Sequence, residues 1–159
     1  MKHVITLLVE NQPGVLARIV GLISGRGYNI ESLNVAPTQD PTMSRMTMTV
    51  PGDDHVLEQV TKQLNKLVDV VKVTDLTKKR YQNRELALIE VAAPPERRAE
   101  LAELAALFEA KVIGVQERSL TIQIVADQER LADFMNVLKP FRIIDVARTG
   151  VVAVPRSEG

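Results

Sequence analysis

A chain of 159 residues with 45% hydrophobic content is long enough for one compact domain or for two small ones with cores of their own. Twenty basic and twenty acidic residues cancel, which excludes a global field drawing the chain to nucleic acid or to an anionic membrane surface. There is no cysteine, hence no disulfide, thiolate nucleophile or sulfur-bound metal, a composition that suits a reducing cytoplasm; without tryptophan and with 3% aromatic residues there is little to stack on bases.

His3 to Glu10 reads as a strand with Ile5, Leu7 and Val9 on one face. Val15, Leu16, Ile19, Val20 and Ile23 then form a helical stripe. Between them, Asn11-Gln12-Pro13-Gly14 is a turn. Asn11 offers a side-chain oxygen to cap the helix, and Pro13 fits the first turn because no intrahelical acceptor awaits its missing N–H. Gly14 leaves the backbone N–H groups of the helix start open to a small ligand, and the helix dipole there favours an anion such as an α-carboxylate. The same four residues also make an ordinary strand-to-helix turn. Apolar runs such as Val4 to Val9 and Val151 to Val154 fall far below the roughly 20 residues needed to cross a bilayer, so no membrane partner is expected. Thr6 and Glu10, with no small-residue cleavage site, argue against a signal peptide.

Gly25 and Gly27 flank Arg26 and suit a helix end that needs a left-handed residue. A strand is expected from Tyr28 to Ala36, where Pro37 and Asp40-Pro41 force a turn. Met43 to Val50 alternates, with Met46, Met48 and Val50 on one face and Arg45, Thr47 and Thr49 on the other. Asp53 or Asp54 can cap a helix carrying Val56, Leu57, Val60, Leu64 and Leu67, and Val68 to Leu76 returns as a strand. The order β-α-β-β-α-β is the split βαβ, or ferredoxin-like, arrangement. Two helices cover one face of its four-stranded antiparallel sheet, which leaves the other face and the edges for solvent or another subunit.

The polar segment 78–84 has no periodicity and is expected to link a first domain, 1–77, to a second, 85–159. Its Lys78-Lys79-Arg80 is read as a solvated run rather than a nucleic-acid patch. A second round follows: a strand from Glu85 to Ala92, a helix opened by Pro94-Pro95 with Leu101, Leu104, Ala105 and Phe108, and a hairpin from Lys111 to Val125. A helix capped by Asp127 comes next, then a sixth element from Arg142 to Ala147 that Val151 to Val154 extends or ends. The fold class is therefore α+β, two tandem ferredoxin-like domains, and the open edges predict a homodimer or higher assembly.

Catalytic chemistry is missing from the pattern. His3 and His55 lie in different elements with no Asp or Glu at metal-ligand spacing, no serine stands in a nucleophile elbow, and Gly21, Gly25 and Gly27 follow a helix rather than open one. A lyase on this scaffold would need an acid–base pair that is not evident. Binding fits better: an amino acid's carboxylate can take the N–H groups at Gly14 and Val15, and its ammonium backbone carbonyls or the Asn29 side chain. Asn29 before a strand is equally a turn former.

The turn at Asn11 to Gly14 resembles the signature loop of the ACT domain, a βαββαβ module that binds amino acids at subunit interfaces. The longer run from Arg26 to Pro37 (Arg-Gly-Tyr-Asn-Ile-Glu-Ser-Leu-Asn-Val-Ala-Pro), with Asp40 to Thr47 (Asp-Pro-Thr-Met-Ser-Arg-Met-Thr), resembles the small regulatory subunits of acetohydroxyacid synthase, also called acetolactate synthase. Lys139 to Ala153 resembles that family's closing segment, whereas Val125-Ala126-Asp127 stands where many relatives carry a glycine. The resemblance implies an effector site of Asn11, Gly14, Val15 and Leu16 from one chain with Asn29 and Ile30 from its neighbour, the effector being valine, or leucine or isoleucine. It implies a catalytic large subunit as partner, which carries thiamine diphosphate, a divalent metal and usually flavin, with no cofactor in this chain. It implies a non-catalytic role in branched-chain amino-acid biosynthesis, activating the large subunit and conferring feedback inhibition. The alternative is a free-standing ACT-like sensor acting on a different target.

Overall fold

The computed structural model describes residues 2–157. Two compact units divide the chain, one comprising the residues up to Gln82 together with those from Val151 on, the other Asn83–Gly150.

The first unit opens with β1 (Lys2–Glu10), α1 (Val15–Gly25), β2 (Ser32–Pro37), β3 (Met43–Pro51), α2 (Asp54–Asn65) and β4 (Val70–Asp75). Its sheet has the order β2-β3-β1-β4, antiparallel throughout, with β2 and β4 at the edges. Alternation decides the faces. Ile5, Leu7 and Val9 of β1 and Met46, Met48 and Val50 of β3 meet Val15, Ile19 and Ile23 of α1 and Leu57, Val60 and Leu64 of α2 in one buried cluster. Each such side chain stabilises the fold by about 1.5–3 kcal/mol. Asp53 caps α2, its carboxylate accepting from the Val56 N–H. That contact holds the Asp53 carboxyl below its ordinary value.

The end of α1 shows why β2 starts later than the sequence predicts. Tyr28 N–H donates to the Ile23 carbonyl and Gly27 N–H to the Ser24 carbonyl, with Gly27 at φ +77°. This left-handed stop puts Tyr28 and Ile23 into the same core cluster. Tyr28 thus closes the helix, and the strand begins at Ser32.

The second unit repeats the plan with β5 (Tyr81–Ala92), a 3₁₀ turn at Pro95–Arg97, α3 (Arg98–Leu107), β6 (Lys111–Val115), β7 (Ser119–Ala126), α4 (Gln128–Val137) and β8 (Ile143–Arg148). Its order β6-β7-β5-β8 matches that of the first sheet, and the central strands carry a register shift at equivalent places, Leu8/Val9 and Glu90/Val91. Ile89, Val91, Ile122 and Ile124 pack on Leu101 of α3 and on Leu131 and Phe134 of α4, and Phe108 stands 5.0 Å from Phe134, ring to ring. Asp127 caps α4 through the Arg130 N–H. Glu85 is buried, and Arg148 grips both of its oxygens, at 2.7 and 3.1 Å.

The chain's path departs from the expected boundaries at both ends of this unit. β5 begins at Tyr81, inside the segment read as a linker. Val152–Pro155 forms a ninth strand, β9, which pairs with β5 and gives that sheet a fifth strand among the described residues. The Arg156 N–H donates to the Arg80 carbonyl. Val151 and Ala153 bury against Val4 and Leu76, with Tyr81 beside them. The face of the first sheet that turns away from the helices is therefore partly covered by the chain's own carboxy-terminal stretch, and Thr6, Thr47 and Thr49 on it are buried. Among the described residues no helix is long and apolar enough to cross a membrane.

Candidate functional site

Asn11 does not cap α1. Its backbone N–H donates to the Thr42 carbonyl at 2.8 Å and its side-chain amide to the Pro41 carbonyl at 2.9 Å. The turn after β1 is thereby tied to the β2–β3 hairpin. That hairpin is itself fixed by Asp40, whose carboxylate accepts from the Thr42 hydroxyl at 2.7 Å and the Thr42 N–H at 2.9 Å. The Thr42 hydroxyl, then its N–H, hold the Asp40 carboxyl below its usual range. Pro13 accordingly sits in the turn rather than in the helix.

Gly14 takes the capping position instead, at φ +83°, with no side-chain hydrogen bond to the helix start and no acidic residue in the first turn. A positive φ of this size disfavours any residue with a Cβ. Val15 buries its side chain in the core and directs its N–H to the Gln12 carbonyl at 3.4 Å. The N–H groups of Gly14, Leu16 and Ala17 have no partner among the described residues. Leu16 exposes 41% of its surface beside them. The turn therefore offers unpaired donors, the positive end of a helix dipole and one apolar side chain, which is the chemistry that receives a carboxylate carrying an aliphatic group.

Two residues join this turn that sequence reading missed. Arg18, one helical turn beyond Gly14, lays its guanidinium across it: Nη1 is 3.0 Å from where a Cβ on Gly14 would stand. Nε and Nη2 each lie 2.8 Å from Asp69 Oδ2. The i, i+4 spacing from Gly14 was the available signal for Arg18. Asp69 had none, because it arrives through the pairing of β4 with β1, where its carbonyl accepts from the Glu10 N–H at 2.9 Å.

Asn29 and Ile30 lie elsewhere. Ser32 of β2 faces Thr49 of β3, and Thr49 faces Val4 of β1, whereas the Gly14 turn follows Glu10 at the far end of the same strand. Six residues of strand, about 20 Å, separate these levels. One chain thus brings together Asn11, Gly14, Val15 and Leu16 and keeps Asn29 and Ile30 apart from them. Asn29 is exposed, its side chain without a hydrogen bond among the described residues, and Ile30 is half-buried against the core.

Neither histidine joins the site. His3 is buried, its Nε2 donating to the Gly52 carbonyl at 3.0 Å, which leaves Nδ1 to accept from the Thr77 hydroxyl at 3.3 Å. Among the described residues no three His, Asp or Glu side chains converge as a metal ion requires, so the donor set fits none.

Comparison with known proteins accounts for both units. Residues 5–72 match the model of the acetohydroxyacid synthase small subunit-like ACT domain, and residues 84–157 match that of the small subunit of acetolactate synthase. The chain is 48% identical to a probable acetolactate synthase small subunit of Archaeoglobus fulgidus over 98% of each chain. It is 42% identical to the acetolactate synthase isozyme 3 small subunit of Escherichia coli, over 99% of this chain and 98% of the other. The crystal structure of the acetolactate synthase small subunit from Thermotoga maritima superposes with a TM-score of 0.86 at 36% identity, covering 100% of this chain and 99% of that one.

Proposed function

The chain belongs to the acetolactate synthase small-subunit family, and on that premise we propose that it binds valine between two copies of its first unit and thereby sets the activity of a separate catalytic large subunit. The catalytic chemistry, with thiamine diphosphate, a divalent metal and usually flavin, belongs to that partner. This chain activates it, and valine reverses the activation.

The observation that carries the reading is the distance between the two halves of the site. Asn11, Gly14 and Leu16 stand at one end of the sheet and Asn29 and Ile30 at the other, so a pocket using both sets needs two chains. β2 supports the way it is built. It is an edge strand, its last three residues exposed, and Pro37 pairs with Ser44 at the level of Val9, beside the Gly14 turn. Antiparallel pairing of β2 with its copy about a two-fold axis carries each chain's Asn29 toward the partner's Pro37, the end at which the partner's Gly14 turn lies. Such pairing also satisfies an edge that is otherwise open.

In this arrangement the ligand carboxylate meets the N–H groups of the α1 turn, the ammonium meets Asn29 of the neighbouring chain, and the aliphatic group lies between Leu16 and Ile30. One methylene more or less changes such binding by about 1–3 kcal/mol, so leucine and isoleucine bind the same pocket less or more tightly without changing its design. Valine that bridges two chains favours one arrangement of the dimer, and coupling of about 1–3 kcal/mol shifts the partner's activity severalfold to around a hundredfold.

The test is acetolactate production by the cognate catalytic chain, with and without this protein, across a valine titration. Activation that valine reverses is the expected result. No change in rate or valine response, with both proteins folded, would favour a free-standing sensor of a different target.

A further inference from the structure

The Arg18 guanidinium is the one feature of the α1 turn that the backbone site does not use. Its Nε and Nη2 are both committed to Asp69 Oδ2, at 2.8 Å each, which fixes the plane of the group. Nη1 takes part in no hydrogen bond among the described residues and lies over the Gly14 backbone, 3.0 Å from the position a Cβ would fill. A side chain at residue 14 would press on that nitrogen, so glycine is what lets the guanidinium approach a turn whose first N–H groups are unpaired.

A fixed cation beside the positive end of a helix is a repulsive pairing in the absence of an anion. Asp69 offsets part of it from the far side of the guanidinium, with a side chain only 21% exposed against 50% for Arg18. The near side faces the turn. A carboxylate drawn to this turn meets a guanidinium nitrogen already held at Gly14, and a hydrogen bond from an ionised donor is roughly twice as strong as one between neutral groups.

We propose that Arg18, held in place by Asp69, is the residue that selects a ligand with a free carboxylate over the corresponding amide. The inference rests on the valine-binding reading above and adds its charge selectivity. Backbone N–H groups alone donate to a carboxylate or an amide oxygen alike; a guanidinium nitrogen held beside them discriminates by charge.

The test is equilibrium binding of valine and of valinamide, each to the wild-type protein, to Arg18→Gln and to Arg18→Lys. Wild type is expected to prefer valine. In Arg18→Gln valine should weaken about tenfold or more while valinamide stays within about twofold, since only the charge-assisted bond is lost. Arg18→Lys should keep part of the preference, having the charge without the fork that Asp69 orients. Equal weakening of both compounds in Arg18→Gln, or of neither, would overturn the role of Arg18 while leaving the pocket standing. Failure of wild type to bind valine at all would overturn the pocket and this inference with it.

Discussion

The side-chain amide of Asn11 donates to the carbonyl of Pro41 at 2.9 Å, across a sequence separation that spans α1 and β2. With the Asn11 backbone bond to Thr42, it makes the helix-start turn and the β2–β3 hairpin one body. Asn11 supports the candidate site by holding its loop rather than by capping the helix.

Asn11→Ala keeps the backbone bond and removes the side-chain one. An exposed hydrogen bond of this kind contributes about 0.5–1.5 kcal/mol, so denaturant melts should show a small loss. Valine affinity should fall severalfold as the turn loosens. A calorimetric titration beside a urea melt separates the two effects.

Gly14 is constrained twice, by φ +83° and by Arg18 Nη1 at 3.0 Å from its absent Cβ. Gly14→Ala should cost about 1–2 kcal/mol of stability through the left-handed backbone alone. Gly14→Asp adds a negative charge where a carboxylate is to bind, and should abolish the valine response while leaving activation of the partner measurable.

Asp53 gives a pH-dependent contribution with a defined sign. Its folded pKa lies below the ordinary 3.8, chiefly because its carboxylate accepts from the Val56 N–H. The cap's stabilisation is therefore fully present above the unfolded value and is lost as pH falls through the folded one. Melts of wild type and Asp53→Ala should differ at neutral pH, begin to converge as pH drops below about the unfolded carboxylate value, and meet once it has passed below the lower folded one.

Much of this fold is legible because it follows from periodicity. Ile5, Leu7 and Val9, Met46, Met48 and Val50, and the stripe Val15, Ile19 and Ile23 occupy the faces that their spacing dictates. Asp53 and Asp127 cap where they stand. The early start of β5 and the return of β9 are not legible. Residues 81–84 are polar, and what makes them a strand is pairing with a segment some seventy residues later, in which Val151 and Ala153 find Val4 and Leu76. No local pattern carries that contact. Thr47 and Thr49 look like a solvated face for the same reason, although both are buried. At the site, turn chemistry pointed to Gly14 and the family resemblance to Asn29, but only the register places them at opposite ends of one sheet.

Glu85 and Arg148 make an asymmetric pair: the carboxylate is 4% exposed and the arginine side chain 51%. Arg148→Met strands a buried charge and should cost about 1.5–3 kcal/mol. Glu85→Gln removes the charge that needs a partner and should cost less. Urea melts of the two variants should rank in that order, and the reverse order would show that Arg148 does not compensate a buried charge.

The most direct test of a pocket shared between two chains is to mix two inactive variants. Gly14→Asp and Asn29→Ala should each bind no valine as homodimers, since every pocket lacks one half. Subunit exchange between them produces heterodimers in which one pocket carries both defects and the other carries neither. Calorimetry on the exchanged mixture is predicted to recover valine binding at wild-type affinity, to about half of the sites in the heterodimers. Recovery of no binding, with exchange confirmed by mass, would contradict a site built from both chains.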